Sequence, residues 1–550
     1  MSRGARRIAL LCVDPWLKSG GNFRPFNYPV RRIEAALRSN AQLQDAEVKV
    51  FDVPLSQAAS LAAEVEAFDP DLVGASAYTW SFAALLDVSA RLKASRADRQ
   101  IVFGGPSARP EMFALPPYRE AHRAVDALVL GEGEDVVQEL ALGWGGERAL
   151  GQIAGLAVPS ADGAFVKTAE RELPDLSKVA SPYQLGLSPR GHTAHLETFR
   201  GCPLSCRFCQ WGDLSKTNRV FSKEYLVREL AGFRERGATG AFIVDAALNL
   251  NARAFANLRA AEAEVRFLKT VHFNTEIYPS HMTDEHLAFL TAVGCDSVGI
   301  GLQSFDAKVL ENMQRPFDER RFERVTREVA ARVPDTIVEI IFGLPGDNRD
   351  SFFRTLERAR GLGVAVRVYR CLVLPNALMT RAPPHFAMRF DPVTLLMQSC
   401  WGWSEEDLQR TARELDGLVA AEGGDVHDGS GSWKVPPPGR AARAASEPAR
   451  SARLGDPLGD ALAAQTEGLW VLTGATRAGE VLLASIQTPD GALQLELTPA
   501  ASTPKSFCTA GAVAFSYRGA AAAATLAHLK ALAPKLEPVV SALLAGGAPS

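Results

Sequence analysis

The chain has 550 residues, 47% hydrophobic and 22% charged, a balance that fits a folded multidomain protein and excludes disordered, collagen-like or fibrous classes. Its 60 basic and 63 acidic residues are mixed along the chain and leave a formal charge of −3, so no basic face for nucleic acid is expected. Of 8 cysteines, those at 202, 206 and 209 cluster and the rest are scattered, which is not a secreted disulfide framework.

The opening MSRGARRIALLCVDPW is basic, but its apolar run, Ile8 to Val13, is too short for a signal core or a membrane span. A cytoplasmic protein without a membrane partner is expected. From there apolar runs alternate with helix-like stretches: RIALLCV, PVRRIEAALRSN, EVKVFDV, SQAASLAAEVEAF, DLVGASAY, SFAALLDVSARLKAS, QIVFGGP, DALVLGEGE and DVVQELALGW. This order predicts a parallel, doubly wound, Rossmann-like domain over residues 1–150, with ligands at the carboxyl ends of its strands. Residues 151–190 read as a linker containing a hairpin with Gly163 in its turn.

A second series of strands follows over 191–424: AHLETFRG, GAFIVDA, VHFNTEIY, SVGIGLQS, TIVEIIFGLPG and VAVRVYRCLVLP, each separated by an amphipathic stretch. Such units predict a partial (β/α)6 TIM-type barrel plus an extension, with its chemistry at the strand carboxyl ends. Residues 425–460 turn to Gly, Ser, Pro, Ala and Arg and read as a flexible linker. LWVLTG, EVLLASIQT, ALQLELTP and AVAFSYRG, then the helix-like TLAHLKALAPKLEPVVSALL, predict a small α+β domain over 461–550. The fold class is therefore α/β, with a small α+β domain at the C-terminal end.

The sharpest chemical signal is Cys202, Cys206 and Cys209, a Cys-x3-Cys-x2-Cys loop following the first barrel strand and carrying Gly201 and Pro203. Three thiolates in so short a loop can hold three irons of a [4Fe-4S] cubane and leave the fourth open to a chelating ligand. A zinc site would want a fourth donor, for which His192 and His195 stand near in sequence.

ETFRGCPLSCRFCQWG resembles the cluster loop of radical S-adenosylmethionine (SAM) proteins that carry an N-terminal cobalamin-binding domain. Asp245 and Asn249 in FIVDAALNLN, GIGLQSFDAKVLENMQR and IIFGLPGDNRDSF resemble further strand motifs of that family. The resemblance spans roughly residues 5–410 and implies a [4Fe-4S] cluster, SAM and cobalamin as cofactors. It also implies an electron donor such as flavodoxin or ferredoxin, and a small-molecule or peptide substrate.

Roles for individual residues follow from it. Glu276 is the candidate to accept a bond from the SAM amino group or approach the open iron; otherwise it bonds neighbouring backbone. Gln303 and Ser304 would hold the SAM carboxylate or ribose, or form a strand-terminal turn. Gly343 and Pro345 in GLPG would admit the adenosyl group closely, or simply make a good turn. Arg370 and Arg381 would pair with carboxylates near the barrel mouth, or be solvated.

In the N-terminal domain no G-x-G-x-x-G opens the first helix, which disfavours a nicotinamide cofactor. The resemblance implies cobalamin along Ser76 to Trp80, Gly104, Gly105 and Pro106, and Gly131, Glu132, Gly133 and Glu134. The Asp-x-His-x-x-Gly of methionine-synthase-like domains is missing, which implies base-off, His-off cobalamin with Tyr78 or Trp80 beneath cobalt, unless those rings only cap the sheet.

The chain is thus similar to cobalamin-dependent (class B) radical SAM C-methyltransferases, and its layout to the tryptophan 2-C-methyltransferases of thiopeptide biosynthesis. That implies methyl transfer from SAM via methylcobalamin to a carbon of a small natural-product precursor, with C2 of tryptophan as one acceptor. Met397, Trp401 and Trp403 would wall an aromatic pocket or pack in the core. Two alternatives remain at this level: a cobalamin-bound enzyme that rearranges, oxidises or cyclises its substrate, and a cobalamin-free radical SAM peptide-modifying enzyme.

Overall fold

The computed structural model describes residues 6–14, 26–146, 149–211, 219–427, 431–438, 458, 462, 465–466, 471–478, 481–488, 491–499, 508–510, 513–518 and 523–545. They fall into two compact units, one reaching Pro438 and one beyond it.

The first sheet of the larger unit comprises β1 (Arg7–Asp14), β2 (Glu47–Pro54), β3 (Leu72–Ser76), β4 (Gln100–Gly104), β5 (Ala127–Val129), β6 (Leu156–Pro159) and β7 (Phe165–Lys167), in the order β2-β1-β3-β4-β5-β6-β7. β1 to β5 pair in parallel and the β6–β7 hairpin closes the edge antiparallel, with Gly163 in its turn at φ +84°. β1 is buried almost throughout because helices cover both faces of a parallel sheet, which is why RIALLCV reads as an unbroken apolar run. The strand order reverses between β1 and β3, and the crevice outside their carboxyl ends is where such sheets take ligands.

The second sheet contains the six predicted strands as β8 (Thr193–Leu196), β11 (Gly240–Ile243), β12 (His272–Ile277), β13 (Ser297–Gln303), β14 (Asp335–Phe342) and β15 (Ala365–Arg370), all parallel. Short pairs β9 (Phe199–Arg200) with β10 (Arg219–Val220), and β16 (Arg389–Phe390) with β17 (Met397–Ser399), lie outside it. Strand alternation directs Phe273, Thr275 and Ile277, and Val298, Ile300 and Leu302, into the buried layer, leaving Asn274, Glu276, Gly299 and Gly301 on the other face.

The expected linker starts later than residue 425. β18 (Asp425–His427) and β19 (Ser432–Val435) form a hairpin that adds antiparallel to β15. Trp433 is buried there and its Nε1 donates to Asp416 at 2.7 Å, anchoring a strand hidden by its Gly- and Ser-rich surroundings. Residues 439–457 of that expected linker lie outside the described residues.

In the smaller unit β20 (Val471–Ala478), β21 (Val481–Thr488), β22 (Gly491–Pro499), β23 (Cys508–Ala510) and β24 (Val513–Arg518) form an antiparallel sheet in the order β20-β21-β22-β24-β23. Leu482, Ile486, Leu495, Leu497 and Phe515 pack against Leu529, Leu536 and Val540 of the helix Ala523–Ala545. Among the described residues no helix is long and apolar enough to cross a membrane.

Candidate functional site

The loop after β8 is tied down before it reaches the cysteines. Asp245 accepts the N–H of Thr198 at 2.9 Å and of Phe199 at 3.4 Å, and also the Thr198 hydroxyl. Burial pushes its pKa up to about 7 against those hydrogen bonds. Gly201, at φ +102°, then turns the chain into the loop.

Cys202, Cys206 and Cys209 carry free thiols and line one chamber of about 460 Å³, with Phe208, Asp245, Glu276, Tyr278, Gln303, Arg315 and Glu339. Burial raises the pKa of Cys202, and that of Cys209 to about 11, so their thiolates call for a cationic partner. Among the described residues no three His, Cys, Asp or Glu side chains come close enough to hold a single metal ion. Three separate thiols facing one chamber suit a cubane, which takes one thiolate at each of its irons. His192 and His195 do not join the cysteines: they pack beside Phe26, at 4.6 and 6.1 Å between ring centres, and burial lowers the pKa of His195 to about 4.

Across the chamber stand two half-buried carboxylates. The Glu276 carboxylate lies over Gly299 of β13, where a Cβ would collide with both its oxygens. Glu339 on β14 accepts a hydrogen bond from the Tyr369 hydroxyl at 3.1 Å and faces Arg367 Nη1 at 3.9 Å. Burial, then the neighbouring Glu339, pushes the Glu276 pKa up to about 8, with Arg367 opposing. Burial also raises Glu339 against Arg367 and the Tyr369 hydrogen bond.

Sequence reasoning missed Arg315, Glu339 and Arg367. Arg315 Nη1 donates to the Cys206 sulfur at 3.8 Å, its Nη2 donates to the Gly301 carbonyl, and the guanidinium lies 5.2 Å from the Tyr278 ring centre. A lone acid in the apolar run IVEIIF was the available signal for Glu339.

A second cavity, of about 770 Å³, opens at the carboxyl ends of β3, β4 and β5 and takes part of its lining from the barrel side. Its lining includes Ser76, Tyr78, Trp80, Gly104, Gly105, Pro106, Gly131, Glu132, Gly133 and Glu134. Gly105 sits at φ +93°, and a Cβ there would come within 2.8 Å of the Ala77 carbonyl oxygen. Tyr78 and Trp80 stack at 4.6 Å and 11°, and burial pushes the Tyr78 phenol up to about 12. From the barrel come Ile341, Tyr369, Arg370, Leu372 and Leu374, none of them anticipated as cleft residues.

Glu132 and Glu134 line this cleft, but their carboxylates are engaged by arginines. Arg200 contacts Glu134 at 2.7 Å and Glu197 at 3.0 Å and also pairs with Glu132, which Arg219 meets as well; Arg32 adds Glu197 at 3.3 Å. Burial would raise the Glu134 pKa, yet Arg200 and Arg32 hold it below the usual carboxylate value.

Four other expected contacts line neither cavity. The Asn249 amide caps Tyr278 through two 2.8 Å hydrogen bonds to its N–H and carbonyl, and the Ser304 hydroxyl accepts the Asp306 N–H at 3.0 Å. Gly343, at φ +85°, turns the chain against Leu408 and Cys371, and the Pro345 carbonyl accepts from Asn312. Met397 and Trp403 are buried in the barrel core and Trp401 is exposed beside Phe386, so the aromatic run packs rather than walling a pocket. Arg370 and Arg381 donate to backbone carbonyls, of Met397 and Cys209, instead of carboxylates.

The two cavities meet at the end of the cysteine loop. Phe208, Cys209 and Trp211 line both, and Gln210 Nε2 donates to the carbonyls of Pro106 at 3.0 Å and Pro375 at 2.9 Å.

Comparison with known proteins agrees with this layout. The B12 binding domain family matches residues 33–141 and the radical SAM superfamily matches residues 196–359. Curated relatives include the 2-(S-pantetheinyl)-carbapenam-3-carboxylate methyltransferase of Streptantibioticus cattleyicolor, 30% identical over 56% of this chain and 48% of the relative. The cobalamin-dependent radical SAM methyltransferase TokK of Streptomyces tokunonensis shares the same 30%, 56% and 48%. The chain thus spans about half the length of these relatives.

Among solved structures, TsrM from Kitasatospora setae, a radical SAM methyltransferase with tryptophan substrate and a SAM analog bound, matches with a TM-score of 0.57 at 18% identity, over 76% of this chain and 89% of that one. The cobalamin-dependent SAM radical enzyme OxsB, with aqua-cobalamin and SAM bound, matches at 0.57 and 14%, over 76% and 68%. These last two are likenesses of fold. The first sheet and its helices thus fall within the B12 binding domain match, and most of the barrel falls within the radical SAM superfamily match.

Proposed function

We propose that the protein is a cobalamin-dependent radical SAM C-methyltransferase, moving a methyl group from SAM by way of cobalamin to a carbon of a small natural-product precursor. The observation that carries this reading is the shared wall, Phe208, Cys209 and Trp211, which brings the cysteine chamber against the B12-type cleft. A methyl carrier and a reductant of SAM need that proximity, and both curated relatives named above are methyltransferases. Cobalamin and a [4Fe-4S] cluster would supply, when bound, a transferable methyl group and a source of single electrons.

The chain's own residues have the following parts in this reading. Cys202, Cys206 and Cys209 would hold the cluster by three of its irons, leaving the fourth free for SAM. Glu276 accepts a hydrogen bond from the SAM amino group or approaches the open iron, and its raised pKa lets it hold or release a proton near neutrality. Gln303, on the same chamber, reaches the SAM carboxylate or ribose. Tyr78 and Trp80 would hold the lower face of a base-off, His-off cobalamin: among the described residues of the cleft lining there is no histidine, and a phenol raised to about 12 stays protonated and ligates poorly. Tryptophan, the substrate in the TsrM structure, is the first acceptor to try, at its indole C2. Electrons would come from a flavodoxin or ferredoxin.

The test is anaerobic reconstitution with iron, sulfide and hydroxocobalamin, then turnover with SAM, reductant and tryptophan. About four irons and one cobalt per chain, S-adenosylhomocysteine and a methylated product support the proposal. Irons without cobalt refute the cobalamin part. Both metals with 5′-deoxyadenosine but no S-adenosylhomocysteine point to rearrangement, oxidation or cyclisation instead.

A further inference from the structure

The cations lining the B12-type cleft differ in how they are neutralised. Arg32 and Arg200 face Glu134 and Glu197 in a dense ion-pair network. Arg370, at the carboxyl end of β15, stands apart from it. Its Nη2 donates to the Met397 carbonyl at 2.9 Å, its Nε is buried without a hydrogen-bond partner, and among the described residues no carboxylate lies within ion-pair distance. Burial lowers its pKa, with only Cys371 and Glu405 opposing.

A partly desolvated guanidinium without a counter-charge is costly in an apo protein unless something else completes it. Its planar fork matches a carboxylate, which it can grip through parallel N–H donors. The position suits a substrate group, because reactants of TIM-type barrels bind at strand carboxyl ends. Ile341, Leu372 and Leu374 offer an apolar wall beside it, while its neighbour Tyr369 reaches Glu339 of the cysteine chamber. A molecule held by Arg370 would therefore sit beside the junction of the two cavities.

We propose that Arg370 anchors a carboxylate of the methyl acceptor, so that the acceptor is a small organic acid with an apolar or aromatic body. The inference rests on the cleft taking cobalamin and goes further by naming the acceptor's chemical class. One other anion is available, the phosphodiester of the cobalamin tail, so the experiment separates the two sources.

Full-length protein reconstituted with cluster and cobalamin, wild type and Arg370→Met and Arg370→Lys variants, is examined by equilibrium dialysis with matched acids and amides. The probes are L-tryptophan against L-tryptophanamide and indole-3-acetate against indole-3-acetamide. Methionine keeps an unbranched apolar stem and lysine keeps the charge without the fork. On the wild type the acid of at least one pair is expected to bind about tenfold more tightly than its amide, the size of one charge-assisted hydrogen bond. Arg370→Met should abolish that preference and Arg370→Lys restore part of it, all with cobalamin affinity unchanged. No acid preference on the wild type, or a preference that survives in Arg370→Met, overturns the proposal. A tenfold loss of cobalamin affinity in Arg370→Met overturns it too, by assigning the anion to the phosphodiester. Failure of the wild type to bind cobalt is a separate outcome, which refutes the proposed function itself.

Discussion

The hydroxyl of Tyr369 donates to Oε1 of Glu339 at 3.1 Å, and the two residues line different cavities, Tyr369 the cleft and Glu339 the cysteine chamber. This hydrogen bond is a polar link between the two spaces. Tyr369→Phe leaves Glu339 with Arg367 at 3.9 Å as its nearest described cation, so a stability loss of about 1–3 kcal/mol is expected in denaturant titration. The Glu339 pKa should rise further, since a donor to its charged form is gone. Unchanged stability would mean that the bond is not made in solution.

Gly299→Ala should separate position from stability. The three atoms nearest the added Cβ all belong to the far end of the flexible Glu276 side chain, which can swing away at little cost to the fold. We expect the melting temperature of the cluster-free protein to move by no more than a few degrees while turnover falls at least about tenfold. Full activity in this variant would remove Glu276 from the mechanism.

The pH dependence of stability follows from raised carboxyl pKa values. Glu276 is pushed up to about 8 and Asp245 to about 7, both first by burial, so each binds its proton more tightly folded than unfolded. Their contribution is therefore full below the unfolded carboxyl pKa and is lost as pH rises through the folded values. The cluster-free protein should lose stability between about pH 5 and 8. Glu276→Gln should flatten part of that slope, as followed by thermal melts across the range, and an identical slope in the variant would contradict the assignment.

Removing Arg200 exposes the opposite case, a set of carboxylates left without their cation. Its side chain is 12% exposed and that of Glu134 8%, so solvent screens them weakly. Arg200→Ala should cost about 3–5 kcal/mol in chemical denaturation. It should also weaken cobalamin retention, because Glu132 and Glu134 line the cleft. A loss within experimental error would show that water replaces the guanidinium.

Cys206→Ser should abolish cluster iron while leaving cobalt binding measurable, since the B12-type cleft takes Cys209 but not Cys206 into its wall. Iron and cobalt analysis of the reconstituted variant checks this.

Much of this was legible in the sequence because it depends on local pattern. Strand and helix order and the spacing of Cys202, Cys206 and Cys209 follow from periodicity and short-range motifs, whereas Glu276 was singled out through the family resemblance. What escaped depends on pairing between distant segments. The carboxylates of Glu132 and Glu134 read as cleft contacts until Arg200, 66 residues beyond Glu134, engages them. Arg315 sits after a helix, and only the closure of the barrel brings it to Cys206. Trp433 was hidden by flanking Gly and Ser, although Trp433 and Val435 alternate as buried apolar positions of a strand. Gly343 and Pro345 were overread, since a turn useful to the fold has the same letters as one useful to a ligand.

The two hydrogen bonds of Gln210 have an implication for engineering. One side chain next to the third cysteine holds both Pro106, from the first sheet's loops, and Pro375, from the segment after β15. Anyone exchanging the stretch that matches the B12 binding domain family for a relative's would be cutting through a three-way joint. A graft ending between residues 170 and 190 separates Pro106 from its partner, whereas one that also carries Phe208 to Trp211 and the stretch around Pro375 moves the joint intact. Modularity here follows the joint rather than the order of domains along the chain.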